Sequence, residues 1–201
     1  MGYYTRVLSK RHDCPSLDSL KDSLGKKWPN IVLSLQDGDA DDWTALLLAH
    51  ADGLEIAAIE RNPVAEGTLG ADELAEFIEE VESGQPQTAV SWLTTYLRAV
   101  KTIYAFQHLS GTQQSRGDEA LRCVSGAIWG KVDAILQADG EGFSNEDGYH
   151  ILWQFSDHVS GPWWMAVLQD GRWIRFQMEL GSSEHRRAFL EGRVPPGVQT
   201  A

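Results

Sequence analysis

The amino-acid sequence predicts an α+β fold in which mainly antiparallel sheets pack against helices. Short segments of β-favouring residues, several of which alternate apolar with polar positions, indicate strands. The pairs Asp52-Gly53 and Asp170-Gly171 lie between such segments and are typical of tight hairpin turns. Other segments place apolar residues three or four positions apart, which indicates amphipathic helices.

The first half of the chain, residues 1–109, is predicted to form a strand, a helix, three strands and two more helices. The first strand is Tyr3–Ser9, and Ser16 caps a helix that runs to about Lys27. Three strands follow at residues 31–35, 44–50 and 54–60, and two helices at residues 71–83 and 89–108. We expect the last helix to bridge the two halves of the chain.

The second half, residues 118–201, is predicted to form a helix, three strands and a short helix. The polar, glycine-bearing segment 110–117 is a candidate linker or loop between the halves. The predicted helices are residues 118–136 and 183–191, and the predicted strands are residues 149–155, 163–168 and 172–180. The halves are similar in size, and the sequence leaves open whether they form one compact unit.

The charge balance favours some partners and disfavours others. The chain carries 29 acidic and 17 basic side chains, a formal net charge of -12 at pH 7. This field repels nucleic acids and anionic lipids and accelerates encounter with a basic protein. Cys14 and Cys123 lack the spacing of a disulfide scaffold or a zinc site, and no apolar run has the length of a membrane span. We therefore expect a cytoplasmic protein that binds neither nucleic acid nor membrane.

Motifs of catalysis are absent from the sequence. It has no Gly-x-Ser-x-Gly elbow, no phosphate-binding loop, no dinucleotide-binding glycine pattern and no histidine pair at metalloprotease spacing. Residues 37–42 resemble the start of a calcium loop, but Asp42 occupies the position of the required glycine and Leu48 that of the bidentate glutamate. We therefore assign no catalytic residue, cofactor or metal ligand, and the sequence leans against an enzyme without excluding one.

Aromatic and acidic residues supply the candidate binding site. Tryptophans are concentrated in the predicted C-terminal strands, and alternation places Trp173, Arg175 and Gln177 on the opposite face from Phe176 and Met178. An aromatic residue beside an arginine on an open sheet face is typical of an interface hot spot. The other candidate partner-binding residues are Trp163 and the loop residues Glu141, Phe143, Glu146, Asp147, Asp39, Asp41 and Asp42.

These features favour a non-enzymatic, acidic protein-binding module, an inhibitor or immunity-type protein for a basic partner such as a toxin. In its acidity, tryptophan-rich sheet and lack of catalytic motifs the chain resembles the small immunity proteins that neutralise bacterial toxins, although no motif is matched. One alternative is a small-molecule or metal-dependent enzyme with a site between the halves. Its candidate residues are Glu141, Glu146, Asp147, His150 and His158. Another is a homodimeric structural or sensory module that buries Trp173 against its own copy.

Overall fold

The computed structural model describes residues 2–114 and 116–200, except for the side chain of Lys26. Ser115, in the predicted 110–117 linker, lies outside the described residues. The described chain contains five α-helices: α1 (Leu17–Leu24), α2 (Leu69–Glu82), α3 (Gln87–Leu97), α4 (Gly117–Trp129) and α5 (Ser183–Leu190). It also contains nine strands: β1 (Tyr3–Ser9), β2 (Ile31–Gly38), β3 (Trp43–His50), β4 (Glu55–Pro63), β5 (Thr102–His108), β6 (Ala134–Ala138), β7 (Gly142–Ser144), β8 (Pro162–Gln169) and β9 (Arg172–Glu179). The predicted α+β class is confirmed.

The chain divides into two compact units, each built from two separate stretches of sequence. Unit 1 contains Met1–Asp72 and Val100–Ala134, and unit 2 contains Glu73–Ala99 and Ile135–Ala201. Residues Ser110–Gln113 form a 3-10 turn in unit 1, and α4 follows in the same unit. The division of the chain into halves 1–109 and 118–201, joined by a linker or loop at 110–117, stays a prediction.

Unit 1 is built on an antiparallel sheet with the strand order β2-β3-β4-β5-β1. In β5, the first five residues are buried, because this strand pairs with β4 on one side and with β1 on the other. The predicted helix over residues 89–108 is therefore wrong in its second part. The helix α3 ends at Leu97, and the apolar run Thr102–His108 is a central strand. An apolar run of this length fits either a buried strand or a helix face, and the sheet pairing decides between them.

Helices α1 and α4 complete the core of unit 1. The N-cap of α1 is confirmed, since Ser16 Oγ accepts a hydrogen bond from the Ser19 backbone N–H (3.4 Å). The helix ends at Gly25, whose positive φ of 51° favours glycine. Helix α4 packs against α1, β1 and β4, burying its apolar stripe. The predicted helix over residues 118–136 therefore ends early, at Trp129, and residues Ala134–Ala138 form β6.

Unit 2 has a core of sulfur-containing, aliphatic and aromatic side chains. Strands β8 and β9 form the predicted hairpin, and its turn residues Asp170 and Gly171 both have positive φ, at 49° and 75°. The core residues are Phe155, Met165, Val167, Phe176, Met178, Leu180 and Phe189. The predicted strand over residues 149–155 is wrong, since only His150 forms isolated bridges there, to Ser144 and Met165. Among the described residues no helix has both the length and the hydropathy to cross a membrane.

Candidate functional site

The acidic loop that follows β6 lies directly beside the tryptophan-rich hairpin in unit 2. The His150 backbone N–H donates to the Trp164 carbonyl (3.1 Å), and the Ala166 N–H donates to the His150 carbonyl (2.8 Å). Within the loop, Asn145 Oδ1 accepts from the backbone N–H groups of Asp147 (3.1 Å) and Tyr149 (3.0 Å). The backbone therefore holds the side chains of residues 147 and 149 against the outer face of β8 and β9.

This arrangement creates an open aromatic and charged surface. All eight tryptophans are among the described residues. Trp164 is 49% exposed, whereas the seven others are buried or half-buried. Tyr149 meets the Trp164 ring edge-on at 6.0 Å, and the Arg175 guanidinium lies 5.2 Å from the Tyr149 ring centroid. Arg175 also pairs with Asp147 at 2.5 Å. We call this surface the Trp164 face and define it by Glu146, Asp147, Tyr149, Trp164, Arg175 and Gln177.

The other end of the same sheet face is covered by helix α3. Phe176 and Met178 are buried while Gln177 is exposed, so the predicted alternation of β9 is confirmed. Trp173 is half-buried, because Trp92 of α3 packs edge-on against it with ring centroids 5.2 Å apart. A helix layer therefore covers the Trp173 end of the hairpin and leaves the Trp164 end open.

Two of the predicted partner-binding residues point into unit 2. Phe143 is fully buried and packs edge-on against Phe77 at 5.8 Å. Trp163 is half-buried, and its indole N–H donates to His150 Nδ1 (2.9 Å). Because neighbouring residues of a strand face opposite sides, the burial of Trp163 leaves Trp164 as the exposed member of the pair.

The buried imidazole of His150 is held in one protonation state. An indole N–H only donates, so the bond from Trp163 requires an unprotonated Nδ1, and the neutral ring carries its proton on Nε2. Nε2 is buried without a hydrogen-bond partner among the described residues, and Glu141 Oε2 lies 3.9 Å away. Burial lowers the pKa of His150 from 6.5 to about 4. The ring is therefore neutral at pH 7.

The contacts of His150 do not suit general-base catalysis. Ser144 Oγ lies 3.2 Å from Nδ1 and Glu141 lies near Nε2, an order of groups that resembles a hydrolase triad. However, the lone pair that would accept the Ser144 proton already accepts the Trp163 N–H. Ser144 is also buried, which restricts its access to a substrate.

The remaining residues of the alternative enzyme site are also in unit 2. Glu146, Asp147 and His158 are exposed, and Asp147 is paired with Arg175. Among the residues predicted for this enzyme site, the structure therefore brings together the side chains of Glu141 and His150, which are 3.9 Å apart. Among the described residues no group of three or more His, Cys, Asp or Glu side chains is arranged to hold a metal ion.

The first acidic loop, which contains Asp39, Asp41 and Asp42, connects β2 to β3 in unit 1. Asp39 Oδ1 accepts from the backbone N–H groups of Asp41 (3.0 Å) and Asp42 (2.9 Å), and the Asp42 carboxylate pairs with Arg61. These contacts provide partners for the polar groups at the end of the β2–β3 hairpin. All three aspartates are exposed.

Unit 2 also has an open pocket of about 470 Å³ beside α5, which the sequence did not indicate. Two basic and two acidic side chains line it, namely Arg186, Arg187, Asp157 and Glu191. Arg186 pairs with Asp157 Oδ1 (3.2 Å) and lies 4.8 Å from the Trp153 ring. The charges of the lining balance, so the pocket has no clear preference for an anion or a cation.

Comparisons of the chain with protein-family models, with curated proteins and with solved structures find no match in any of the three.

Proposed function

We propose that this chain is a non-enzymatic protein-binding module and that the Trp164 face is its contact surface. The half-exposed Trp164 is the observation that carries the proposal. Tryptophan, tyrosine and arginine are the residue types most enriched at interface hot spots, and this face presents one of each. Trp164 packs edge-on against Tyr149 and still leaves 49% of its surface exposed to solvent.

The contacts within the Trp164 face favour tight association because the anchoring groups are already ordered. Tyr149 is fixed at its backbone by Asn145, and Arg175 is fixed by Asp147 and by the Tyr149 ring. A partner that binds this face therefore immobilises few additional side chains, which lowers the entropic cost of association.

The charge of the chain favours a basic partner. The net charge of -12 attracts a positively charged protein at long range, and Glu146, which precedes Asp147 in the loop, is an exposed acidic residue. An inhibitor or immunity-type protein for a basic toxin is one function of this kind. Attraction of this type weakens as the salt concentration rises.

The proposal is tested by affinity capture from native lysate at low and at high salt, followed by identification of the retained proteins. We expect the unmodified chain to retain one dominant basic protein, mainly at low salt, and Trp164→Ala to lose it. Leu69→Ala is the matched control, since Leu69 is 66% exposed on α2 and lies outside the Trp164 face.

Purified partner then gives the dissociation constant of each variant. Removal of a hot-spot tryptophan should weaken binding by at least about 30-fold, the equivalent of about 2 kcal/mol. The proposal fails if no protein is retained, or if Trp164→Ala and Leu69→Ala bind the partner equally well.

A further inference from the structure

The open pocket beside α5 is large enough for a small organic molecule. Its volume of about 470 Å³ lies within the range of about 300–1,000 Å³ that is usual for small-molecule sites, whereas one water takes about 30 Å³. Ser183, Arg187 and Leu190 of the lining belong to one face of α5, because residues three or four positions apart are neighbours on a helix. Gln85 and Asp157 complete the lining from other segments of unit 2.

Counted by number, the charges of the pocket favour neither sign, but they are not equally available to a ligand. Asp157 is occupied by Arg186, whose Nη1 lies 3.2 Å from Oδ1. Glu191 Oε2 accepts hydrogen bonds from Nε (3.1 Å) and Nη2 of Arg193. Arg187, by contrast, forms no ion pair or side-chain hydrogen bond with any described residue, and it interacts with Glu191 only at longer range. The charge that remains available in the lining is therefore positive.

Two neutral groups of the lining are also available to a ligand. The Ser183 hydroxyl and the Gln85 side-chain amide form no hydrogen bond with any residue that the structure describes. Both groups can donate a hydrogen bond to an oxyanion, and a guanidinium forms its strongest hydrogen bonds with carboxylate and phosphate oxygens. We infer that this pocket binds a small organic anion, whose carboxylate or phosphate group contacts Arg187, Ser183 and Gln85.

The net charge of the whole chain opposes an anion only at long range. A charge of -12 repels anions in the surrounding solution. Salt at physiological concentration screens exposed charges over about 8 Å, so the groups that contact the ligand dominate its binding. Arg193 is an ion-pair partner of the lining and supplies a third arginine beside its two carboxylates. The lining and its ion-pair partners therefore carry one excess positive charge.

The apolar part of the lining indicates an organic anion rather than an inorganic one. Leu190 is half-buried and follows Arg187 by three residues on the same face of α5. A ligand with an oxyanion at one end and a small ring at the other can contact the side chains of both residues. Small-molecule sites commonly combine apolar contacts with a few polar groups that fix the orientation of the ligand.

Three probes that share an aromatic ring and differ in the charged group test this inference. They are benzoate, phenyl phosphate and benzylamine, each titrated at pH 7 and constant ionic strength into ¹⁵N-labelled protein. We expect saturable NMR shifts of the Gln85 side-chain amide and the Ser183 backbone amide with at least one of the two anions, and none with benzylamine. The anion that binds more tightly identifies the preferred head group. The absence of saturable shifts with both anions, or equal binding of benzylamine, would overturn the inference.

A substitution of the available arginine tests the same contact. Arg187→Gln removes the charge but keeps a hydrogen-bond donor, and it should raise the dissociation constant of the bound anion about tenfold. Arg98→Gln is the matched control, since Arg98 is exposed at the end of α3 and lies outside the pocket. Both arginines are exposed, so both variants should fold, and their amide spectra check this. Equal dissociation constants for the two variants would contradict the assignment of the anion to Arg187.

Discussion

The buried imidazole of His150 makes the stability of the protein depend on pH in a defined direction. The pKa of His150 falls from 6.5 to about 4 on folding, because burial penalises the charged ring. Protonation would also place a second N–H against the Trp163 indole N–H, which is 2.9 Å from Nδ1. The Glu141 carboxylate, at 3.9 Å, favours the charged ring, and burial outweighs it.

The pKa of His150 is lower in the folded chain than in the unfolded chain, and this order decides whether stability rises or falls with pH. Between pH 6.5 and pH 4 the unfolded chain binds a proton at His150 that the folded chain does not, so the unfolding free energy decreases as the pH falls. Above pH 6.5 this contribution is fully present. A shift of this size, at about 1.4 kcal/mol per pKa unit, corresponds to about 3 kcal/mol of stability lost across the window.

Urea unfolding at a series of pH values measures this loss. His150→Gln removes the titrating group, keeps an amide oxygen to accept the Trp163 N–H, and should flatten the curve between pH 6.5 and pH 4 relative to the unmodified protein. His158→Gln, which makes the same substitution at an exposed histidine, is the matched control. A pKa of His150 at or above 6.5 by NMR titration, or equal slopes for unmodified protein and His150→Gln, would refute the reasoning.

Three further substitutions separate structural residues from exposed ones in unit 2. Gly142→Ala should destabilise the fold by about 3 kcal/mol in urea unfolding, because φ is +114° and the added Cβ would lie 2.4 Å from the Leu152 carbonyl oxygen. Trp173→Ala should cost about 3 kcal/mol through lost packing on Trp92, measured by the same method. Trp164→Ala should cost less than about 1 kcal/mol, and a larger loss than in Trp173→Ala would show that Trp164 is a core residue.

The sequence predicted the elements whose local signals are strong. The α1 cap at Ser16, the hairpin turn at Asp170-Gly171 and the alternation of β9 are confirmed. Each depends on neighbouring residues alone: a hydroxyl that accepts a backbone N–H, a turn that tolerates positive φ, or a side-chain period of two.

Elements that depend on distant pairing were predicted less well. The run Thr102–His108 continues the helical spacing of the preceding helix, yet it is a strand because β4 and β1 supply partners on both sides. Residues 134–136 were assigned to a helix from the same helical spacing, but they belong to β6 (Ala134–Ala138), which pairs with β7. The spacing of apolar residues within a short segment gives no information about a strand partner that is far away in the sequence.

For the candidate site, the sequence by itself determined the ingredients: an acidic chain, a tryptophan-rich hairpin and the opposite faces of Trp163 and Trp164. Tertiary structure decided which tryptophan is exposed. Helix α3 covers Trp173 through Trp92, and His150 accepts the hydrogen bond of Trp163, which leaves the Trp164 face open. Alternation along a strand defines two faces, but the exposure of each face depends on the elements that pack against it, and those elements come from other parts of the chain.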